Sequence, residues 1–138
     1  MLIWYDGSAD ARLAVEAAAR LLASRPALVL AVTPVTVALG YSAFPTDAPY
    51  VDAAGDTAAL TKAQEGAEHA RRLGLRADAR EHHASDVSRG VREVADQIDA
   101  AVIVIGSRRR TSLRKFAEEG LAHDLVERAG RPVLVVPR

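Results

Sequence analysis

Ala101-Val102-Ile103-Val104-Ile105-Gly106-Ser107-Arg108-Arg109-Arg110 is the stretch that decides the fold. An unbroken apolar run, rich in β-branched residues, stops at Gly-Ser and is followed by three consecutive arginines. A strand with no polar alternation suits a parallel sheet covered by helices on both faces. Ligands of open α/β sheets bind in the crevice beyond the carboxyl ends of such strands. Here that end carries a glycine, which permits close backbone approach, and a dense positive charge. The function is expected there.

Short apolar runs alternate with helical patterns on both sides of this stretch. Leu2-Ile3-Trp4-Tyr5 reads as a first strand, halted by Asp6-Gly7-Ser8. From Ala9 to Ala23 a helix is expected, with Leu13, Ala14, Ala17, Ala18 and Leu21 on one face. Ser8 or Asp10 is positioned to cap it. Ala27 to Val32 forms the second strand. A helix from Asp56 to Leu73 follows, with Leu60, Ala63, Ala67 and Ala70 inward and Gly74 as its stop. Leu75 to His83 carries more charge and suits an exposed edge strand. Ser85 or Asp86 then caps a helix whose stripe is Val87, Val91, Val94 and Ile98. The last helix turns Leu121, Leu125, Val126 and Ala129 inward and ends at Gly130, before a fifth strand, Val133 to Val136. The order β-α-β-α-β-α-β-α-β predicts an α/β fold with a doubly wound parallel sheet.

At 138 residues the chain is read as one domain, residues 1–138, long enough to bury roughly 68% of its unfolded surface. Eighteen basic residues balance eighteen acidic ones, so the molecule as a whole does not attract a polyanion and any basic site is a local patch. Cysteine is absent, which excludes disulfides and thiolate metal sites and fits a reducing compartment. No apolar run approaches 18 residues, and Asp6, Gly7 and Ser8 interrupt the first segment too early for a signal peptide. A cytoplasmic chain with no membrane partner is expected. The segment from Thr33 to Gly55 lacks periodicity, yet holds three of the six aromatics, Tyr41, Phe44 and Tyr50. A surface loop and a lid or partner-contacting segment both fit.

Three phrases in this order resemble the universal stress proteins. They are Asp6-Gly7-Ser8 after the first strand, Val102-Ile103-Val104-Ile105-Gly106-Ser107-Arg108, and the closing Arg131-Pro132-Val133-Leu134-Val135-Val136-Pro137. The resemblance spans essentially the whole chain. It implies a five-stranded parallel sheet in the order 3-2-1-4-5 and a homodimer joined through the last strand, Val133–Val136. It also implies, for many members, ATP or another adenine nucleotide as ligand. By that resemblance Asp6 contacts the adenosine part and Val32 offers backbone groups to adenine. The family's loop after strand 4 has glycine at three set places, then Ser or Thr, and wraps ribose and phosphates with backbone N–H groups.

This chain departs from that loop. Gly106 keeps the first glycine and is followed by Ser107 and Arg108. Arg109 falls at the second glycine, Glu119 at the third, and Gly120 takes the Ser/Thr place. Arg109 adds a side chain where backbone approaches phosphate. Glu119 sets a negative charge nearby, costing about 1 kcal/mol even under water screening. Against this, Arg108, Arg109, Arg110, Arg114 and Lys115 place five cations within eight residues, and guanidinium groups hold phosphate oxygens in bidentate fashion. A small anionic ligand gripped by side chains is one reading and a solvated basic loop is the other. No aromatics interleave these cations, which disfavours nucleic acid.

The remaining chemistry-bearing residues assemble no catalytic unit. His82 and His83 are neighbours on a strand and point to opposite faces; His69 and His123 stand alone on helices. Ser8 and Ser107 lack the Gly-x-Ser-x-Gly elbow of hydrolases, and the Walker lysine loop is missing. The leading expectation is a non-catalytic stress-response module, dimeric, with a crevice at strands 1 and 4 for a nucleotide or other anion. The alternatives are an adenine-nucleotide sensor or slow ATPase, and a protein-interaction module with a disused pocket.

Overall fold

The computed structural model describes residues 1–35, 53–107 and 119–138, and of these residues 53–56 and 119 by backbone alone. Strands and helices alternate as β1 (Leu2–Trp4), α1 (Ala9–Leu21), β2 (Ala27–Pro34), α2 (Ala53–Arg72), β3 (Ala77–Ala84), α3 (Val87–Gln97), β4 (Ile103–Ser107), α4 (Glu119–Arg128) and β5 (Val133–Pro137). All strand pairs are parallel and their order is β3-β2-β1-β4-β5. The aromatic-rich segment lies, for residues 36–52, outside the described residues, as does most of the arginine loop, residues 108–118.

Both faces of the sheet are covered, which is why β4 has no polar alternation. On one face Ile3, Tyr5, Val29 and Val104 pack against Ala14 and Val15 of α1 and Ala67 and Ala70 of α2. On the other, Leu2, Leu30, Ile103 and Ile105 meet Val91 and Val94 of α3 and Leu125 of α4. Each large apolar side chain so enclosed contributes roughly 1.5–3 kcal/mol relative to exposure. Ser8 is the cap of α1 and Asp86 that of α3, each accepting a backbone N–H of the first turn.

Four inward assignments are corrected. Leu21 is 67% exposed, Val126 is 61% exposed, and Leu60 and Ile98, the latter the cap that ends α3, also face out. The buried stripe of α1 runs Ala11, Ala14, Val15, Ala18 and continues at Leu22, which packs on the core. Leu21 is therefore one position off the face. On α2 the inner stripe consists of small residues, Ala59, Ala63, Ala67 and Ala70. These seat the helix close on the sheet and leave Leu60 beside the seam. A helix rich in alanine hides which of its faces is buried.

Arg131, just before β5, closes the lower edge of the α3 layer. Its guanidinium donates to the carbonyls of Ala95 (2.9 Å) and Ala100 (2.8 Å) and to the Asp96 carboxylate. The carbonyls at the end of α3 have no partner within their own helix, and a fixed fork of donors reaches that of Ala95, together with the Ala100 carbonyl just beyond the helix, from the next layer.

Gly106 governs how α1 meets β4. A Cβ built on it would stand 2.2 Å from the backbone oxygen of Asp10 and 2.4 Å from its carbonyl carbon. No rotamer relieves a clash with backbone. Gly106→Ala is expected to cost about 3 kcal/mol, the upper part of the usual overpacking range. Gly120→Ala, whose Cβ enters open space in α4, is expected to be neutral or stabilising by up to about 1 kcal/mol. Urea unfolding of the two variants checks this, and a Gly106→Ala chain within about 0.5 kcal/mol of the parent would contradict the packing assignment.

Candidate functional site

The carboxyl edge of the sheet gathers the candidate residues through strand register. Leu2 pairs with Leu28 on one side and Ile103 on the other, and Ile3 with Val29 and Val104. The amide of Tyr5 donates to Leu30 O at 2.8 Å, extending the first ladder. Continued by the same offsets, Val32, Asp6 and Ser107 share one level across three adjacent strands. β1 leaves this level toward α1 on one face, while β4 leads to α4 on the other. Connections that diverge between neighbouring strands open a crevice at their carboxyl ends.

The floor of that crevice is the turn from β1 into α1. Asp6 Oδ1 accepts the amide of Ser8 at 2.9 Å, forming an Asx turn. Gly7 between them sits at φ +83°, a conformation that side-chain-bearing residues adopt only under strain. Ser8 Oγ accepts the amide of Ala11 at 3.1 Å, a cap interaction of about 1 kcal/mol. The stem of Lys62 from α2 stands over the turn, 3.8 Å from where a Cβ on Gly7 would be. Asp10 follows in the first turn of α1; it is only 5% exposed, with Arg138 Nε 3.7 Å from its carboxylate. A carboxylate at a helix amino end is favoured by the helix dipole.

Of the sequence candidates, Asp6, Val32, Gly106 and Ser107 are brought together here. Arg108 and Arg109 lie outside the described residues. A Cβ built on Gly120, in the first turn of α4, meets nothing within 4 Å among the described residues. Val32 turns its side chain to the α3 layer, where its Cγ1 stands 2.7 Å from a Cβ built on Gly90, so only its backbone faces the level of Asp6. The close approach at Gly106 is made by the backbone of α1.

Two polar clusters beside this edge escaped the sequence reading. The Tyr5 hydroxyl donates to Glu65 Oε1 (3.2 Å), which also accepts Arg12 Nη2 (2.7 Å). Burial raises the Tyr5 pKa, with the hydrogen bond from Arg12 opposing it. On the other face the Ser88 hydroxyl donates to the Asp124 carboxylate, whose other oxygen stands 3.1 Å from Arg128 Nη1. Asp124 is held below its ordinary value, first by Ser88 and then by the charges of Arg128 and Arg92. Glu93 is lowered likewise by the hydrogen bonds from His82 and Arg89.

His82 and His83 do point to opposite faces, His82 to Glu93 on α3 and His83 to Glu81 on its own strand, both at 2.9 Å. His69 and His123 do not stand alone: Glu16 is 3.6 Å from the first and Glu127 3.2 Å from the second. The Glu127 partner was readable as an i,i+4 spacing, whereas Glu16 is brought across from another helix. Among the described residues no group of three or more His, Cys, Asp or Glu side chains is placed to hold a metal ion.

A parallel sheet with its order reversing at β1 and β4, covered by helices on both faces, defines an α/β domain of the doubly wound class. The model of the universal stress protein family matches residues 1–137, and the chain belongs to that family. No curated protein matches it significantly. Among solved structures it is similar to a universal stress protein from Archaeoglobus fulgidus, with a TM-score of 0.75 and 19% identity over 98% of this chain and 96% of that one. A Burkholderia pseudomallei family member gives 0.74 and 23%, over 99% and 94%. The Archaeoglobus fulgidus protein in complex with dAMP gives 0.72 and 18%, over 98% and 94%. Further similar structures carry cAMP and, in an Arabidopsis thaliana family protein, AMP. Among the described residues no helix is long and apolar enough to cross a membrane.

The lowered carboxylates set an acid response. Glu65, Glu93 and Asp124 bind their protons less readily in the folded chain than at their ordinary values of 4.5, 4.5 and 3.8. What they add to stability is complete above those values and is lost as pH falls through the lower folded ones. Urea midpoints are expected to drop between about pH 5 and pH 3, with Glu93→Gln showing a smaller drop. Equal slopes for parent and variant would contradict the His82–Glu93–Arg89 assignment.

Proposed function

We propose that this chain is a non-catalytic, cytoplasmic stress-response module that works as a homodimer and holds an adenine nucleotide in the crevice between β1 and β4. The observation that carries the reading is the parallel register of β1 with β2 and β4, whose offsets, continued, set Val32, Asp6 and Ser107 at one level where the strand order reverses. Structures of the family with dAMP, cAMP and AMP support adenine as the common element. In this reading Asp6 meets the adenosine part, the Val32 backbone meets adenine, and the loop from Gly106 and Ser107 through Arg108 and Arg109 to Gly120 meets phosphate.

Triphosphate binding is weak in this account. The α-carbon of Gly106 is already used to seat α1, and in sequence Arg109 and Glu119 replace the family glycines whose backbone would cradle the outer phosphates. Small-molecule mass spectrometry of the freshly purified, unfolded protein tests the reading, with an adenine nucleotide as the expected release. Calorimetric titration of ATP with magnesium is expected to give a dissociation constant on the order of a millimolar, about −4 kcal/mol. Arg108→Glu with Arg109→Glu weakens it roughly tenfold further. A micromolar constant for the parent protein overturns the account of Arg109 and Glu119.

The dimer is assigned to β5. It is an edge strand, and Val133, Leu134, Val135 and Val136 are all only half-buried within one chain. An open apolar edge is a template for pairing with another strand. Sedimentation velocity is expected to report a dimer, and a chain ending at Gly130 to sediment as a monomer or fail to fold. A well-folded dimer of the shortened chain would contradict the assignment.

A further inference from the structure

The pole of the molecule opposite the crevice carries a concentration of charge that a formal net charge of zero conceals. Arg20 lies in the last turn of α1 and Arg71 and Arg72 in the last turn of α2. Arg25 and Arg76 lie in the loops that follow these helices. All five are exposed. Hydrogen bonds knit the loops into one rim: Ala27 N donates to Arg76 O (2.8 Å), Arg25 N to Leu22 O (3.0 Å), and the amino group of Met1 to Pro26 O (2.8 Å). Arg71 Nε bonds the carbonyl of Ala77 at 2.8 Å, turning its guanidinium along the same edge.

No carboxylate among the described residues is within ion-pair distance of any of these five. Glu16, one turn before Arg20, is beside His69 instead. Elsewhere in the described chain Arg12, Arg89, Arg92, Arg128 and Arg131 all have acidic partners. Cations in the last turn of a helix complement its dipole, which accounts for Arg20, Arg71 and Arg72. It does not account for Arg25 and Arg76, which are in loops.

The same rim holds two of the chain's exposed large apolar side chains. Leu21, beside Arg20, and Leu73, beside Arg72, stand out at 67% and 43% exposure. Arginines interspersed with outward leucines at the ends of two adjacent helices give this pole both charge and apolar tips. Anionic phosphodiesters alone satisfy the guanidinium groups but leave the leucines in water. An anionic bilayer satisfies both, with headgroup phosphates for the arginines and the acyl boundary for the leucines.

We infer that this pole, formed by Arg20, Leu21, Arg25, Arg72, Leu73 and Arg76, is a docking face for an anionic membrane surface. The expectation of no membrane partner rests on the absence of a spanning segment, and peripheral docking needs none. The thirteen-residue α1 sets the face about 20 Å from the Asp6 turn. The nucleotide crevice therefore remains open in the docked state.

Flotation of the full chain with vesicles of phosphatidylcholine alone and of phosphatidylcholine with 30% phosphatidylglycerol tests the inference. Binding is expected only to the anionic vesicles and to fall as salt rises. Arg25→Ala with Arg76→Ala removes two surface cations and is expected to weaken binding roughly thirtyfold. Leu21→Ser with Leu73→Ser is expected to weaken vesicle binding severalfold while leaving retention on heparin unchanged. Circular dichroism confirms that both variants fold. Equal binding to neutral and anionic vesicles, no binding to either, or a vesicle affinity unaffected by the leucine changes overturns it. The last result, with heparin retention lost on the arginine changes, identifies a polyanion face instead.

Discussion

The contact between Gly106 and the first turn of α1 is the constraint on which the site depends. Backbone meets backbone there, with no room for a methyl group. The contact pins the start of α1 over the end of β4, although α1 grows out of β1. The Asp6–Ser8 turn must then cross the gap between the two strand ends at close range. The hydrogen bonds from Ser8 N to Asp6 and from Ala11 N to Ser8 hold that turn in one shape. The floor of the crevice is thus set by main chain, through the Asp6–Ser8 turn and its contact with Gly106.

Alternation of apolar runs with helical periodicity was enough to read nine elements and a parallel sheet, because strands buried on both faces and amphipathic helices leave different periods in the sequence; the strand order came from the family resemblance. Caps were readable for the same local reason. The choices left between Ser8 and Asp10, or Ser85 and Asp86, turn on one-residue differences in backbone entry. The inward faces of α1 and α4 were misread at Leu21 and Val126. In helices with apolar residues on more than one side, neighbouring positions differ by 100°, and only tertiary packing selects the buried one.

The site was readable as a place and not as a set of contacts. The end of the β4 run pointed to Gly106 and Ser107, while Asp6 and Val32 were implied by the family resemblance. The partner of Gly106 was not readable, because close approach by a helix and close approach by a phosphate both call for glycine. Tyr5 with Arg12 and Glu65, Ser88 with Asp124, and Arg131 with the end of α3 join residues far apart in sequence. No local pattern announces them. A balanced total charge likewise hid the difference between arginines with carboxylate partners and those at the opposite pole, which have none among the described residues.

Ligand binding at the carboxyl ends of β1 and β4 is tested most directly by backbone amide shifts during an AMP titration. Changes confined to Asp6, Gly7, Ser8, Val32, Gly106 and Ser107, with the β3 edge and the arginine-rich pole unmoved, are the predicted outcome. Shifts clustered away from the carboxyl ends of β1 and β4, or a spectrum unchanged at millimolar nucleotide, would contradict it.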